Sequence, residues 1–398
     1  MKKDYNYCII GAGVIGLCIA QELVKQGITK IVILEKEQDV GLHASGRNSG
    51  VLHAGIYYPA DSLKAQFCLA GNHAWKDFCK TYSLPIRETG KFLVCRNTHD
   101  VEGLHRIYQQ AMDNGAKVSL VSVNDLAQKE PLAKTTELAL WSPETAVVES
   151  KAILQCLKSQ LEDSGHVTFL MNTPVKAILE DGVFDTSAGI ITCDRWINAA
   201  GAYSDQIAHQ VGVGLSYRFL PFKGCYQRLV DYKSTQISAH IYPVPDLKLP
   251  FLGVHFTKSV TGDTYVGPTA IPAFGPENYG FFDGLSLKSL DILYSDAMML
   301  LHNSKFRRLA MTEPKHYWNH FFVKEAQSLT TGITAADIVT CSKVGIRPQL
   351  VHWETKALEM DFVVEQAGKG VHILNAISPA WTSAPAFAAY VVGTYLKL

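Results

Sequence analysis

The fold of this chain is decided by residues 5–35, which read YNYCIIGAGVIGLCIAQELVKQGITKIVILE. Residues 5–10 are short and apolar, which predicts a buried strand. Residues 14–26 carry apolar side chains at helical spacing and stop at Gly27, a common end for a helix. Residues 31–35 are rich in β-branched side chains and predict a second strand. This order of strand, helix and strand predicts a βαβ unit at the start of an α/β fold.

The turn between the first strand and the helix holds a glycine pattern typical of dinucleotide binding. Residues 11–16 read GAGVIG, and Glu35 follows 19 positions later at the end of the second strand. Gly11 permits the tight turn, Gly13 lets the backbone approach a pyrophosphate, and Gly16 lets the helix pack against the sheet. The helix N-terminus offers N–H groups to the phosphates, and Glu35 can accept hydrogen bonds from a ribose. A glycine turn without a ligand is the alternative, which this complete context disfavours.

Composition indicates an ordinary globular protein of about two domains. The chain has 398 residues, 47% hydrophobic and 19% charged, and its 37 Lys plus Arg equal its 37 Asp plus Glu. A net charge of zero gives no reason to expect a nucleic acid as partner. It also gives no electrostatic attraction to an anionic membrane, although a local apolar contact stays open.

The cysteine pattern and the lack of a long apolar segment bear on the cellular compartment. The nine cysteines include no CxxC pair, which argues against a disulfide framework or a zinc site and favours a reducing compartment. No segment reaches the roughly 18 apolar residues that span a bilayer. The basic start and apolar residues 8–20 also fit a signal peptide, but the ordered glycine motif favours the buried strand and helix. We therefore expect a cytoplasmic protein, with peripheral contact to the inner face of a membrane left open.

Beyond the second strand the sequence resembles a known family of enzymes. Residues 43–58 read HASGRNSGVLHAGIYY, residues 198–205 read NAAGAYSD, and residues 345–349 read GIRPQ. Residues 243–246 (PVPD) and 250–257 (PFLGVHFT) continue the match. These stretches resemble the FAD-dependent oxidoreductases typified by D-amino-acid oxidase, and among them the L-2-hydroxyglutarate dehydrogenase/oxidase group. The resemblance covers nearly the whole chain.

The resemblance implies a Rossmann-like FAD-binding domain assembled from separated segments, with an α+β substrate domain inserted between them. Residues 221–276 are rich in Pro, Gly and short β-like runs, which favours a mostly antiparallel sheet for the inserted domain. We predict that the FAD-binding domain comprises residues 1–85, 145–220 and 340–398. The substrate-binding domain is then formed by residues 86–144 and 221–339.

The resemblance also implies which residues hold FAD. They lie in the glycine motif, in the loop of residues 43–50, in the Ala-Gly pair after residue 199, and in residues 378–383. The last segment would bring a helix N-terminus near the electron-rich side of the reduced flavin ring. The predicted FAD-binding residues are Gly11, Gly13, Gly16, Glu35, Ser45, Arg47, Asn48, Ser49, Ala200, Gly201, Ser378 and Pro379. No metal site is predicted.

Oxidation of a 2-hydroxy acid requires hydride transfer to the flavin, a base for the hydroxyl proton and a cation for the carboxylate. His53 and His255 lie in matched stretches and are the candidate bases, with His53 slightly favoured. A core histidine with a satisfied hydrogen bond is the alternative for each. Arg347 is the predicted clamp, because a guanidinium can bind a carboxylate through two parallel hydrogen bonds. Lys223 and Tyr57 are weaker candidates for a second carboxylate.

Two positions depart from the pattern of the group and put the substrate in doubt. Cys225 stands where the group usually has an acidic residue beside the substrate cavity, and Trp381 stands where it usually has a small one. The aromatic residues Tyr279, Phe281 and Phe282 are more typical of loop packing than of membrane contact.

The sequence therefore leaves three functions open. The first is FAD-dependent oxidation of L-2-hydroxyglutarate to 2-oxoglutarate. The second is oxidation of an amino acid or secondary amine, and the third is flavin binding without turnover. For the enzymatic functions, the expected partners are the small acid or amine and an electron acceptor, either oxygen or a quinone.

Overall fold

Two large β-sheets organise the part of the chain that the structure describes. The computed structural model describes residues 3–245, 252–280, 283–284, 288–313, 315 and 319–398. In chain order the strands are β1 (Lys3–Ile10), β2 (Ile31–Leu34), β3 (Val51–Leu52), β4 (Ile86–Arg87), β5 (Lys91–Val94), β6 (Ser119–Ser122), β7 (Leu138–Ser142), β8 (Ala146–Val148), β9 (Val167–Leu170), β10 (Val175–Glu180), β11 (Val183–Thr186), β12 (Gly189–Asn198), β13 (Tyr217–Leu229), β14 (His240–Pro243), β15 (His255–Lys258), β16 (Thr264–Gly267), β17 (Ile271–Pro272), β18 (Ile338–His352), β19 (Ala357–Leu358), β20 (Val363–Ala367) and β21 (Gly370–Asn375).

The helices connect and cover these sheets. They are α1 (Val14–Lys25), α2 (Leu63–Thr81), α3 (His99–Asp113), α4 (Val123–Lys129), α5 (Ser150–Asp163), α6 (Ser204–His209), α7 (Asp231–Ser234), α8 (Lys288–His302), α9 (Ser304–Thr312), α10 (Asn319–Leu329) and α11 (Ala380–Val391). Within the described ranges, none of the helices is both long enough and apolar enough to cross a membrane.

The first sheet has the parallel centre that the glycine motif predicts. Its strand order is β10-β11-β12-β1-β2-β9, and β21 joins it beside β12. β1 pairs in parallel with both β12 and β2, and β2 pairs in parallel with β9. On one face Ile9, Ile33 and Ile197 are fully buried in a core shared with α1, α5 and α11. The α/β fold class and the opening βαβ unit are thus confirmed.

The second sheet is mostly antiparallel, as residues 221–276 predict. Its order is β19-β18-β13-β16-β15-β14-β5-β7-β6, with β17 beside β13. β13 and β18 are paired from Tyr217 opposite His352 to Leu229 opposite Ile338, with one irregularity after Cys225. β14 and β5 form a parallel pair within this sheet. The β13–β18 pair is therefore a long pairing within the second sheet.

The domain boundaries remain a prediction, which can be compared with the strands of the second sheet. Strands β5–β7 and β14–β17 of the second sheet fall in the segments assigned to the substrate domain. β18 and β19 also belong to this sheet, although most of their residues follow the predicted boundary at residue 340. Their pairing with β13 argues for a boundary after β19, because a strand is stabilised with the sheet that it joins.

Helices α2 and α11 cross at a glycine, which allows their backbones to approach closely. A Cβ atom at Gly71 of α2 would lie 2.1 Å from the carbonyl oxygen of Thr382 and 2.9 Å from Cα of Ser383. Both partner atoms are backbone atoms, so a rotamer change cannot relieve the clash. The same crossing is reinforced by Trp75 of α2, whose indole N–H donates to the carbonyl oxygen of Trp381 at 2.9 Å.

We expect Gly71→Ala to destabilise the protein by roughly 1–3 kcal/mol, the usual cost of overpacking. The matched control is Gly393→Ala, because a Cβ atom at Gly393 meets nothing within 4 Å. Thermal unfolding followed by circular dichroism should show a lower Tm for Gly71→Ala and an unchanged or slightly higher Tm for Gly393→Ala. Equal Tm values for Gly71→Ala and the wild type would contradict the close crossing.

Candidate active site

A large cavity opens where the parallel strands of the first sheet end. Its volume is about 1060 Å³, and it extends from Glu35 and Thr173 past the 43–50 loop to the inner face of β13 and β18. The carboxyl edge of a parallel sheet is the usual ligand site of such folds. Ligand pockets commonly measure roughly 300–1,000 Å³, so this cavity is large enough for a dinucleotide and a small acid together.

The glycine motif forms one wall of the cavity by close backbone contacts. Gly11 has a φ of +108°, and a Cβ atom there would lie 2.5 Å from the carbonyl oxygen of Ala199. A Cβ atom on Gly16 would lie 2.0 Å from the carbonyl oxygen of Gly11. Gly13 is the N-cap of α1 and offers no side chain to the helix end. The turn into α1 therefore presents backbone without a side chain to the cavity at Gly11 and Gly13.

Side chains from two neighbouring segments fix this wall. Ser45 Oγ accepts the N–H of Val14 at 2.9 Å, which ties the 43–50 loop to the start of α1. One carboxylate oxygen of Glu35 accepts the N–H of Ala12 at 2.8 Å. Glu35 is thus held at the end of β2, beside the turn that would carry a pyrophosphate.

The 43–50 loop is shaped by its own side chains. The Asn48 amide donates to the carbonyl oxygen of Ser45 at 2.6 Å, and its oxygen accepts the N–H of Gly50 at 2.7 Å. Arg47 Nε donates to the carbonyl oxygen of Leu42 at 2.9 Å. The Arg47 guanidinium also lies 4.1 Å from the ring centroid of Tyr279, which is a cation–π distance. Tyr279 therefore packs on this loop, whereas Phe281 and Phe282 lie outside the described residues.

The predicted FAD-binding residues come together in the structure, with one exception. Gly16 does not line the cavity, because it faces the Gly11 carbonyl and serves the packing of α1 instead. The others line one continuous wall: Gly11, Gly13, Glu35, Ser45, Arg47, Asn48, Ser49, Ala200, Gly201, Ser378 and Pro379. The glycine cradle, the N-cap of α1 without a side chain, and the cavity volume all fit FAD. These lining residues are the ones that would hold it.

The start of α11 continues this wall of the cavity. The first turn of α11 reaches the cavity through Ala380, Trp381 and Thr382. Trp381 Nε1 donates to the carbonyl oxygen of Ser45 at 2.8 Å. The large side chain that departs from the family pattern therefore braces α11 against the 43–50 loop.

A charged cluster lies beside the cofactor wall. Among the described residues, Glu37, His43 and Glu277 bring potential metal-ligand atoms within 4.8 Å of one another. Lys36 contacts all three: its Nζ is 2.6 Å from Glu277 and 2.9 Å from His43, and it also bonds to Glu37. The hydrogen bond from Lys36 holds the pKa of Glu37 below its usual value. The ammonium group thus already supplies the positive charge that these carboxylates need.

The opposite end of the cavity receives Arg347 from β18 and alternate residues of β13. Phe222, Gly224 and Tyr226 line the cavity, and successive residues of a strand point to opposite faces. Lys223 does not line it: its Nζ donates to the carbonyl oxygen of Gly280 at 2.5 Å. Cys225 does not line it either, so the family departure at this position removes no group from the cavity.

Both candidate histidines line this end, but their surroundings differ. His255 Nδ1 donates to the carbonyl oxygen of Gly253 at 2.8 Å, which leaves Nε2 with its lone pair. Its ring lies 3.9 Å from the ring of Tyr242, and burial lowers its pKa to about 4. His53 Nδ1 is buried without a hydrogen-bond partner among the described residues. Burial, and then the nearby Lys91, lower the pKa of His53 well below its ordinary value.

Three further groups at this end escaped the sequence analysis. Lys64 of α2 lines the cavity and is only 7% exposed. Tyr58 lines it beside Tyr57, whose buried hydroxyl has no partner in the described part of the chain. Lys91 is fully buried behind the lining, with Nζ 4.4 Å from the ring of Tyr57, and burial lowers its pKa to about 7. The sequence signal for Lys64 was its place six residues after the matched stretch 43–58.

Comparison with known proteins gives a consistent set of relatives. The family described as DAO, FAD dependent oxidoreductase, matches residues 6–393. The chain is 31% identical to the mitochondrial L-2-hydroxyglutarate dehydrogenase of Homo sapiens, over 98% of this chain and 88% of that protein. It is 30% identical to the L-2-hydroxyglutarate dehydrogenase of Indibacter alkaliphilus, over 96% of each. It is also 30% identical to that of Escherichia coli K12, over 98% of this chain and 92% of that protein.

Solved structures share the fold at lower identity. An FAD-bound L-alpha-glycerophosphate oxidase from Mycoplasma pneumoniae matches with a TM-score of 0.76 and 20% identity, over 98% of this chain and 94% of that one. A glycine oxidase from Geobacillus kaustophilus matches with a TM-score of 0.72 and 18% identity, over 99% and 95%. At such identities the likeness shows the fold, while the substrate must be argued from the cavity.

Proposed function

Because this chain belongs to the DAO family of FAD-dependent oxidoreductases, we propose that it oxidises L-2-hydroxyglutarate to 2-oxoglutarate. It is an FAD-dependent enzyme, and the relatives of about 30% identity are named for this substrate. The observation that carries the proposal is that Arg347 and the neutral, oriented base His255 line the same cavity. Arg347 suits the carboxylate of a 2-hydroxy acid, and His255 suits its hydroxyl.

The positive charge at the Arg347 end of the cavity favours an acid over an amine as the substrate. Arg347 and Lys64 both face the cavity. Among the described residues that line the cavity, the acidic ones are Glu35, at the cofactor end, and Asp361. The two carboxylate oxygens of Asp361 accept the N–H groups of Leu63 and Lys64 at 2.9 and 3.2 Å. A protonated amine would find no acceptor carboxylate directed at it, which counts against the amino-acid and secondary-amine alternatives.

The chemistry divides between the cofactor and the protein. FAD, when bound, supplies the two-electron acceptor for the hydride that leaves C2 of the substrate. Arg347 binds the adjacent carboxylate and fixes the orientation of C2. His255 Nε2 takes the hydroxyl proton, while the bond from Nδ1 to the Gly253 carbonyl holds the ring in place. The C–H and O–H bonds break, and a C=O bond forms.

We expect the purified yellow protein, kept free of oxygen, to lose its visible flavin absorption when L-2-hydroxyglutarate is added. L-glutamate and sarcosine should leave the absorption unchanged, because each carries an ammonium group in place of the hydroxyl, and the described residues at this end direct no carboxylate at it. Loss of absorption with either amine alone would reject the hydroxy-acid assignment in favour of an amine oxidase. A firmly bound flavin that no compound reduces would favour a flavoprotein without turnover.

We expect His255→Gln to slow flavin reduction by roughly 10²–10⁴-fold, the usual contribution of a general base, while FAD content stays unchanged. In the wild type, the pKa of His255 near 4 means that reduction is lost as pH falls through about 4, rather than through the usual 6.5, because protonation removes the lone pair. Stopped-flow absorbance at several pH values measures both effects. His53→Gln is the matched variant, and a larger loss in that variant than in His255→Gln would move the role of base to His53.

We also propose contact with an anionic membrane surface through α8. An exposed apolar stripe follows this helix at helical spacing and is formed by Leu290, Leu293, Tyr294, Leu300 and Leu301. Exposed cationic side chains lie beside this stripe on α9. Among them, Arg307 donates to the carbonyl oxygens of Leu300 and Leu301. An apolar face flanked by cations suits an anionic bilayer. Such a contact favours a membrane quinone as electron acceptor over oxygen. The nine free thiols support a reducing, cytoplasmic location.

We expect the protein to float with vesicles that contain phosphatidylglycerol but not with pure phosphatidylcholine vesicles. The triple variant Leu290→Ser, Leu293→Ser, Leu301→Ser should lose this binding. Leu179→Ser with Leu215→Ser is the control, because both leucines are exposed elsewhere. Equal flotation of the triple variant and the wild type would remove α8 as the contact, and association into dimers through α8 would assign the stripe to a second copy of the chain.

A further inference from the structure

Lys64 is a buried cation that takes no part in the mechanism proposed for Arg347 and His255. It lies in the first turn of α2 and is 7% exposed, and it lines the same cavity as Arg347. Its Nζ lies 5.8 Å from the ring centroid of Tyr58. Burial and then the charge of Arg347 lower the pKa of Lys64 to about 8. Two cations from separate elements therefore line one cavity and repel each other.

The protein itself offers little compensation for the charge of Lys64. Within the described part of the chain, no carboxylate forms an ion pair with its ammonium group. Asp361 is the nearest acidic influence, but both of its oxygens accept backbone N–H groups at the start of α2. Enclosing an ammonium group without a counter-ion is costly, so its position is best explained by an anion that enters the cavity.

We propose that Lys64 binds the second carboxylate of the substrate and so selects dicarboxylic over monocarboxylic 2-hydroxy acids. This assignment rests on the proposed function, in which Arg347 binds the carboxylate next to the reacting carbon. A substrate with two carboxylates satisfies both cations and relieves their repulsion. A monocarboxylic acid leaves Lys64 without a counter-ion, and a site rejects an analogue that leaves its buried polar groups unpaired.

The protonation of Lys64 gives the assignment a pH signature. The charged or titratable groups that influence it are Arg347 from β18, Asp361 from the segment before β20, and Cys68 from α2 itself. The aromatic ring of Tyr58 also lies near the ammonium group of Lys64. As pH rises through about 8, Lys64 of the free protein loses its proton and with it the attraction for a carboxylate. Since Arg stays charged over this range, Lys64→Arg should retain binding at higher pH.

The test compares two acids that differ only at the far end. L-2-hydroxypentanoate has a methyl group where L-2-hydroxyglutarate has its second carboxylate. For Lys64→Met we expect kcat/KM with L-2-hydroxyglutarate to fall about 100-fold, mainly through KM, and to change little with L-2-hydroxypentanoate. Lys64→Arg should recover most of the loss and abolish the decline above pH 8. Lys76→Met is the control, because Lys76 lies on the same helix, is also buried and does not line the cavity.

The outcomes separate the two proposals. A wild type that L-2-hydroxyglutarate does not reduce would end the proposed function, whatever the variants do. A wild type that is reduced, with Lys64→Met losing both acids equally or neither, would overturn the role of Lys64 alone. Affinity for the product 2-oxoglutarate, followed by the shift of the flavin spectrum, should weaken in Lys64→Met but not in Lys76→Met. If Lys64→Met fails to hold FAD, the pH profile of Lys64→Arg decides: a decline above pH 8 like that of the wild type would overturn the assignment.

Discussion

The close contact between Gly16 and the carbonyl group of Gly11 is the constraint on which the rest of the site depends. It lets α1 begin directly above the end of β1, because a Cβ atom on Gly16 would lie 2.0 Å from that oxygen. With α1 in this place, Val14 can reach Ser45 and Ala12 can reach Glu35, so that the loop and β2 are fixed to the same turn. At Gly11 and Gly13 the cavity wall is then backbone alone, and a large anionic cofactor can approach a helix end.

The local part of this design was predictable from the sequence. The glycine motif fixes the turn and the following helix through residues that are near one another in the chain, and both strands of the βαβ unit were confirmed. The matched stretches pointed to Arg347 and to both histidines, His53 and His255, and all three line the cavity, although their roles stay predictions. The cavity itself could not be foreseen in full, because Lys64, Tyr226 and Arg347 reach it from separate elements. Their convergence depends on how the sheets and α2 pack, which the periodicity of single segments does not encode.

The two departures from the family pattern show why the facing direction of a side chain matters. On sequence grounds, Cys225 put the substrate in doubt, yet the alternation of β13 presents Gly224 and Tyr226 to the cavity instead. Trp381 does line the cavity, but its indole N–H bonds to the Ser45 carbonyl and braces the cofactor wall. Neither departure takes a charged group away from the end that holds Arg347.

The discontinuous construction of the cavity has a consequence for how the protein is made. Its walls come from the turn at Gly11, from β13 and β18, and from the first turn of α11 at Thr382. A growing chain therefore lacks one wall until residue 382 has been synthesised, long after the glycine turn. The cofactor can therefore be fully held only after these late segments have been synthesised and folded against the glycine turn.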